Sequence, residues 1–189
     1  MAARYGIGTC IRREVFVSYH HLGDQTYYDR FSRSFHDQLK VITDNSLDRR
    51  IESTNPDYAM RRITEFHLHG SSCTNVLCGA ASWSRKFMDW EIKASLNQKM
   101  GVVGIKLPTL PVIGDASHKP ARLQDNIDRG YALWTTFETV IENRGALMGA
   151  IEEAIAIPKS RMANDRPMMG SQSVMAATGR GVPKSMDTV

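Results

Sequence analysis

The sequence predicts an α/β domain built on an open, parallel sheet with helices on both faces. Apolar runs of the kind found in buried strands occur at residues 15–19, 39–42, 72–79 and 101–107. Segments in which apolar residues recur at helical spacing lie between these runs. Because strands and helices alternate, and the strand runs are almost continuously apolar, we expect parallel strands that are buried on both sides.

The first half of the chain follows this alternation. Asp24, after the first strand, occupies the position of a helix N-cap, and four aromatic residues follow at helical spacing: Tyr27, Tyr28, Phe31 and Phe35. The second strand ends in a polar turn at residues 43–46, and the charged, irregular residues 47–54 predict a loop. Asn55 and Pro56 then form a typical helix start, and one face of that helix carries Ala59, Ile63 and Phe66.

The second half continues in the same order. The third strand contains the polar pair Thr74 and Asn75, which is unusual for a buried strand. The remaining predicted elements are a helix, a fourth strand, a long connection rich in Pro, Gly and Asp, and a last helix: residues 84–98, 101–107, 108–136 and 137–157.

The composition is that of one domain with its own hydrophobic core. The chain has 189 residues, of which 42% are hydrophobic, enough to bury a core without disulfides. Its three cysteines make an odd count. Because no apolar run resembles a signal peptide or reaches the roughly 20 residues that cross a membrane, we expect a cytoplasmic protein with no membrane partner.

The positive charge is concentrated near the C-terminus. The net charge is +4, and residues 158–189 carry five basic and two acidic residues, which leaves a net charge of only +1 for residues 1–157. A nucleic-acid binder usually has a basic stripe on its folded part, so we expect no nucleic-acid partner.

Helical periodicity ends at Pro158, and the remainder contains five of the ten methionines. We therefore expect an N-terminal extension at residues 1–13, a domain at 14–157 and a flexible tail at 158–189. A Met-rich segment that docks on a partner is the alternative for this tail.

Common cofactor and metal motifs are absent from the sequence, which contains no GxGxxG, GxxxxGK[ST] or GxSxG pattern. Four residues suggest a zinc site: His67, His69, Cys73 and Cys78. The histidines straddle a predicted helix end, and the cysteines should face opposite sides of a strand. We therefore expect no metal site.

The carboxyl ends of the strands are where a binding site is expected. In an open α/β sheet, ligands bind beyond these ends, which correspond here to residues 18–23, 44–48 and 79–84. The first segment contains His20 and His21, which fit either a catalytic role or a solvated loop.

Glu91 is the candidate catalytic residue. On the predicted helix, four residues form a stripe that should pack on the sheet: Trp83, Phe87, Trp90 and Ala94. Glu91 lies beside this stripe, where a partly desolvated carboxylate can stabilise a developing cation in a ligand. The alternative is a surface glutamate paired with Lys93 or Arg85.

Six ordered sequence blocks resemble a known family. They are VFVSYH (15–20), TDNS (43–46), VLCG (76–79), WSRKFMDWEI (83–92), GIKLPTLP (104–111) and PARLQDNI (120–127). Together they are similar to the bacterial TIR-like family that includes the TIR protein of Thoeris anti-phage defence, over about residues 13–157.

This resemblance implies a flavodoxin-like TIR fold and an activity. Proteins of this kind respond to a phage-derived trigger by cleaving the nicotinamide–ribose bond of NAD, which is a substrate and not a cofactor. They produce a signalling nucleotide, typically a cyclic ADP-ribose isomer, that activates a separate effector. The resemblance implies that Glu91 is the catalytic glutamate. It also implies NAD-binding positions after the first strand and in the following turn: Ser18, Tyr19, His20, Asp44, Asn45 and Ser46.

The implied chemistry requires one carboxylate. Nicotinamide leaves as a neutral molecule, and the ribose passes through an oxocarbenium-like state that a nearby anion stabilises. Four aromatic residues are expected to line the pocket and limit water: Phe16, Tyr19, Trp83 and Trp90. The sequence leaves open whether water or an internal hydroxyl captures the ribose.

Two other functions are alternatives. Many TIR domains are non-enzymatic adaptors that act through TIR–TIR contact, and a homo-oligomer is plausible for an enzyme as well. A nucleotide-binding or response-regulator-like domain of the same fold would need acidic residues at the end of the first strand, where this chain has Ser18, Tyr19 and His20. One departure from many TIR domains is Phe87, which stands where they have Trp, four residues before Glu91.

Overall fold

A parallel sheet forms the centre of the fold. The computed structural model describes residues 13–42, 56–66, 68–113 and 116–170. In this part of the chain the sheet consists of β1 (Arg13–Ser18), β2 (Leu39–Ile42), β3 (Cys73–Cys78), β4 (Gly101–Lys106) and β7 (Ala132–Thr136). The strand order is β2-β1-β3-β4-β7, and every neighbouring pair is parallel. An antiparallel hairpin of β5 (Val112–Ile113) and β6 (Ala116–Ser117) follows β4.

Helices cover both faces of this sheet. They are α1 (His21–Phe35), α2 (Pro56–Phe66), α3 (Lys86–Asn97), α4 (Ala121–Asp128), α5 (Phe137–Glu142) and α6 (Arg144–Ala156). Apolar side chains of α1, α5 and α6 pack on one face, and those of α2, α3 and α4 pack on the other. The predicted three-layer α/β architecture is therefore confirmed. None of the helices that the structure describes is long and apolar enough to span a membrane.

The four predicted strands are confirmed, each within two residues of its expected bounds. The start of α2 at Pro56 is also confirmed, and Ile63 lies in its buried face. Asn55 and the side chains of Ala59 and Phe66 lie outside the described residues.

The N-cap prediction for Asp24 is wrong, because α1 begins three residues earlier, at His21. The carbonyl of His20 accepts hydrogen bonds from the N–H groups of Gly23 and Asp24 at 3.2 and 2.8 Å, so the first helical turn is already closed there. Asp24 is instead a buried residue inside that turn.

The predicted long connection at residues 108–136 is wrong, since it contains the hairpin, α4 and β7. Only Ala132 of the edge strand β7 is buried, so its sequence lacks the apolar run of a central strand. The buried face of α4 includes Arg122 and Asn126. An apolar periodicity search does not detect a helix whose buried residues are partly polar.

The predicted last helix is interrupted at Asn143. This residue has extended backbone angles (φ −127°, ψ 92°), and its side chain accepts a hydrogen bond from the N–H of Ala146 at 3.3 Å, which caps α6. The apolar pattern passes through the break unchanged because α5 and α6 pack on the same face of the sheet.

Residues 158–170 pack on the domain, which corrects the expected flexible tail over this part of it. After a 3₁₀ turn at Lys159–Arg161, residues 162–170 run across α3 and α4, and we call them the C-terminal strap. The backbone N–H and carbonyl of Ala163 both bond to the Asn126 side chain, at 3.0 and 2.8 Å. Polar side chains, and not apolar periodicity, hold this segment. Residues 171–189 lie outside the described part of the chain.

Candidate active site

A buried serine–glutamate pair lies at the switch point of the sheet. β1 and β3 are neighbours, and the strand order reverses between them, which is where open α/β sheets bind ligands. Ser18, the last residue of β1, donates its hydroxyl to Oε2 of Glu91 on α3 at 2.6 Å. Glu91 is only 6% exposed and Ser18 only 1%. The alternative of a surface glutamate is therefore wrong.

Side-chain hydrogen bonds hold α3 against the central strand. In the 3₁₀ turn that precedes the helix, the Ser82 hydroxyl accepts the N–H of Gly79 at 2.7 Å. One turn after Glu91, the Ser95 hydroxyl donates to the Glu91 carbonyl at 2.8 Å and bonds the hydroxyl of Thr74 at 2.6 Å. The unusual polarity of β3 at Thr74 thus serves to anchor the helix that carries Glu91.

The loop after β1 brings Tyr19 and His20 to the same edge. The Tyr19 ring stacks on Tyr28, with centroids 4.4 Å apart, and its hydroxyl donates to Gln25 at 3.0 Å. Burial raises the pKa of Tyr19, and the nearby Tyr28 and the charge of Glu91 raise it further, so the phenol is neutral at physiological pH. His20 is buried at the start of α1.

Phe16 and Trp90 lie in the hydrophobic core. Phe16 is fully buried and Trp90 is 3% exposed, and both belong to a cluster on the α2–α3 face of the sheet that includes Ile63 and Met100. The structure therefore places both rings behind the site, where they support the helix that carries Glu91, and does not bring them to an open surface.

Trp83 is accessible at the carboxyl edge of the sheet. It lies in the 3₁₀ turn Ser82–Ser84, before α3 begins at Lys86, so the prediction that it belongs to the apolar stripe of the helix is wrong. Its indole is 41% exposed and stacks on His118, with centroids 4.5 Å apart and an interplanar angle of 24°. Such a ring can stack with a planar ligand group.

The structure thus separates the predicted site residues into groups. Four of them meet at the end of β1: Ser18, Tyr19, His20 and Glu91. Asp44, Asn45 and Ser46 lie outside the described residues.

Asp24 is a buried acidic residue, packed on the residue that follows β3, that sequence reasoning did not identify as buried. It is 2% exposed, and its carboxylate packs so closely on Gly79 that a Cβ at that position would collide with it. Burial raises the pKa of Asp24 to about 6, against opposing effects of a hydrogen bond from Thr109 and the charge of Arg85. The signal in the sequence is an acidic residue soon after a strand end, although that pattern also predicts a helix cap.

Those of the residues considered for zinc that the structure describes do not come together. Cys73 and Cys78 face opposite sides of the sheet, as predicted, because they belong to different core clusters. Burial raises the pKa of the Cys73 thiol to about 12 and that of Cys78 as well, so neither is a ready thiolate. His69 is exposed, and His67 lies outside the described residues. In the described ranges no three His, Cys, Asp or Glu side chains are grouped as a metal site would need.

The fold and the buried carboxylate at the switch point define a TIR-like α/β domain. A family model described as the TIR-like domain of the Thoeris protein ThsB matches residues 16–111, about half of the chain. The chain belongs to this family.

Comparison with other proteins adds little to this assignment. No curated protein matches the chain. Among solved structures, the TIR domains of the activated Roq1 resistosome, which directly recognizes the pathogen effector XopQ, are 14% identical. That match covers 77% of this chain and 85% of the other, with a TM-score of 0.36.

Proposed function

We propose that this chain is an NAD-cleaving TIR enzyme of the bacterial cytoplasm that responds to phage infection. It converts NAD to nicotinamide and a signalling nucleotide derived from ADP-ribose, most simply a cyclic isomer, which activates a separate effector. The observation that carries the proposal is the buried Ser18–Glu91 hydrogen bond at the switch point of the sheet.

In this mechanism the bond between C1′ of the ribose and the nicotinamide nitrogen breaks, and its electron pair neutralises the pyridinium. No proton has to be delivered to the leaving group. Positive charge then develops on C1′ and the ring oxygen of the ribose, and the Glu91 carboxylate stabilises that charge. Finally a hydroxyl group, either of water or of another part of the same nucleotide, attacks C1′ and releases its proton to solvent.

Ser18 prepares the carboxylate for this role. Because its hydroxyl donates to Oε2 at 2.6 Å, the carboxylate is oriented before substrate arrives and does not need to rearrange as charge develops. Tyr19, His20 and Trp83 would contact the nucleotide at the same edge, and the family resemblance adds Asp44, Asn45 and Ser46 as binding residues. Tyr19 is buried and stacks on Tyr28 at this edge, and aromatic rings that exclude water there would favour internal capture of the ribose.

The test is NAD consumption by the wild type and by Glu91→Gln, in purified form and in lysate from phage-infected cells. Glutamine keeps the shape of the side chain and can still accept from Ser18, but it carries no charge. Glu153→Gln on the exposed side of α6 is the matched control. We expect wild type and control to consume NAD in at least the infected lysate, and Glu91→Gln to be at least 100-fold slower.

Mass spectrometry of the products identifies how the ribose is captured. A wild type that releases no nicotinamide under either condition would contradict the enzyme proposal and favour an adaptor that acts through TIR–TIR contact. Equal activity of the wild type and Glu91→Gln would assign the cleavage to another residue.

A further inference from the structure

Arg122 of α4 is fully buried, and its guanidinium group donates five hydrogen bonds, one for each of its N–H groups. Nε and Nη2 form a two-point ion pair with Asp89 of α3, at 2.9 and 3.2 Å. Nη2 also donates to the carbonyl of Pro167 at 3.0 Å, and Nη1 donates to the carbonyl of Arg166 at 2.9 Å and to Asn164 Oδ1 at 3.4 Å. Arg122 therefore joins α3 and α4 to the C-terminal strap.

The strap also forms hydrogen bonds with the two residues that precede Glu91. The N–H of Met169 donates to Oδ2 of Asp89 at 2.9 Å, and the indole N–H of Trp90 donates to the carbonyl of Met169 at 2.9 Å. Met168 packs on the hydrophobic cluster that contains Trp90. One residue of the strap is thus bonded on both sides to α3, immediately before the candidate catalytic residue.

This arrangement constrains the rotation of α3. Asp89 and Arg122 are buried, so the loss of a strap contact would remove one hydrogen bond from their ion pair at a place that water does not reach. A rigid helix transmits a shift at Asp89 and Trp90 directly to Glu91. The 2.6 Å hydrogen bond between Ser18 and Glu91 does not survive a displacement of about 1 Å, because hydrogen bonds weaken steeply beyond their normal length.

We propose that Arg122 and the C-terminal strap form a positioning device that holds Glu91 against Ser18 for catalysis. The proposal rests on the proposed function of Glu91 and extends it to residues beyond 111, where the family match ends. Arg122 and Met169 are positioning residues, since they act on the substrate through α3.

Two variants of the full chain test the device. Arg122→Lys keeps the charge beside Asp89 but cannot supply five donors. Met169→Pro removes the N–H that Asp89 accepts and leaves the buried ion pair intact. The control is Glu152→Gln, which breaks the exposed ion pair between Arg13 and Glu152 on α6, on the opposite face of the sheet from α3 and the strap.

Each protein is assayed for the kcat and KM of NAD cleavage well below its melting temperature, and for amide hydrogen exchange of residues 86–97 without substrate. We expect both test variants to lower kcat about 10- to 100-fold, because a misplacement of about 1 Å can cost about 100-fold. KM should change less than about threefold, and exchange in α3 should rise about tenfold or more as strap contacts are lost. The control should match the wild type in all three measurements.

The outcomes separate this proposal from the one it rests on. An active wild type whose kcat and α3 exchange match those of both test variants overturns the positioning role and leaves the enzyme proposal standing. Faster exchange in α3 with unchanged kcat also overturns it, because the strap would then be structural only. An inactive wild type overturns the proposed function and the positioning role with it. If Arg122→Lys does not fold, Met169→Pro decides alone.

Discussion

Replacing Asp24 with asparagine should stabilise the protein at neutral pH and have almost no effect near pH 4. Asp24, in the first turn of α1, is buried against Gly79 after β3 and near Thr109 after β4. The positive charge of Arg85 acts on its carboxylate, and the Cys78 thiol is also near enough to interact with it. Asparagine keeps an oxygen that can accept from Thr109 but never becomes charged.

The magnitude follows from the pKa. Burial raises the pKa of Asp24 from its usual 3.8 to about 6, so the folded protein holds this proton more tightly than the unfolded chain. Below about pH 4 the carboxyl is protonated in both states and does not destabilise the folded protein. As the pH rises through about 6, the folded state loses stability, because the buried carboxyl must then either keep its proton or become charged away from water. The full difference corresponds to about 3 kcal/mol. For a chain of this size that is about 6–12 °C in melting temperature.

The assay is calorimetry or urea unfolding of both proteins between pH 4 and 8. The difference between wild type and Asp24→Asn isolates this carboxyl from the other groups that titrate in the same range. It should grow from near zero at pH 4 to its full value by pH 7.5. Asp29→Asn, at an exposed position of the same helix, is the control and should show no such growth. A difference that is independent of pH would refute the assignment of a desolvated Asp24.

Three further predictions concern the site and the core. Ser18→Ala should lower kcat/KM for NAD about 10- to 100-fold, since a hydrogen bond to a charged group contributes about 1.5–3 kcal/mol; unchanged steady-state kinetics would exclude an orienting role. Trp83→Ala should raise KM about two- to tenfold, measured by nicotinamide release, while melting stays within about 2 °C of wild type because the ring is 41% exposed. Gly101→Ala should cost about 1–3 kcal/mol, because a Cβ would lie 2.8 Å from the backbone nitrogen of Ile155 in α6; thermal melting at the wild-type temperature would show that α6 can shift.

The parts of the fold that the sequence predicts are those held by apolar packing on two faces. β1, β3 and β4 lie between two helical layers and are buried on both sides. Their sequences are therefore short, almost continuous apolar runs, which differ from the helical spacing of apolar residues in the helices. β7 is an edge strand with half-buried residues, and α4 buries Arg122 and Asn126, so neither has that pattern. The strap is held by bonds from side chains to its backbone, and its own side-chain sequence carries almost no trace of them.

The candidate site was predictable in location but not in detail. Strand ends and the resemblance to TIR-like proteins pointed to Ser18 and Glu91, which are 73 residues apart, and the structure joins them by a hydrogen bond. The sequence pattern did not distinguish an aromatic ring that lines a crevice from one that supports it. Trp83 and Trp90 flank the start of one helix, yet one is exposed and the other is in the core.

The two buried cysteines of β3 can be used to detect partial unfolding of the protein. Cys73 lies under the layer of α1, α5 and α6, and Cys78 lies under α3 and α4. A thiol-specific reagent can therefore label each one only when the helices above it have opened. In a Cys10→Ser background, the ratio of labelling at the two positions would reveal which helical layer detaches first. Faster labelling of Cys78 would mean that the layer carrying the proposed catalytic helix is the less stable half of the molecule.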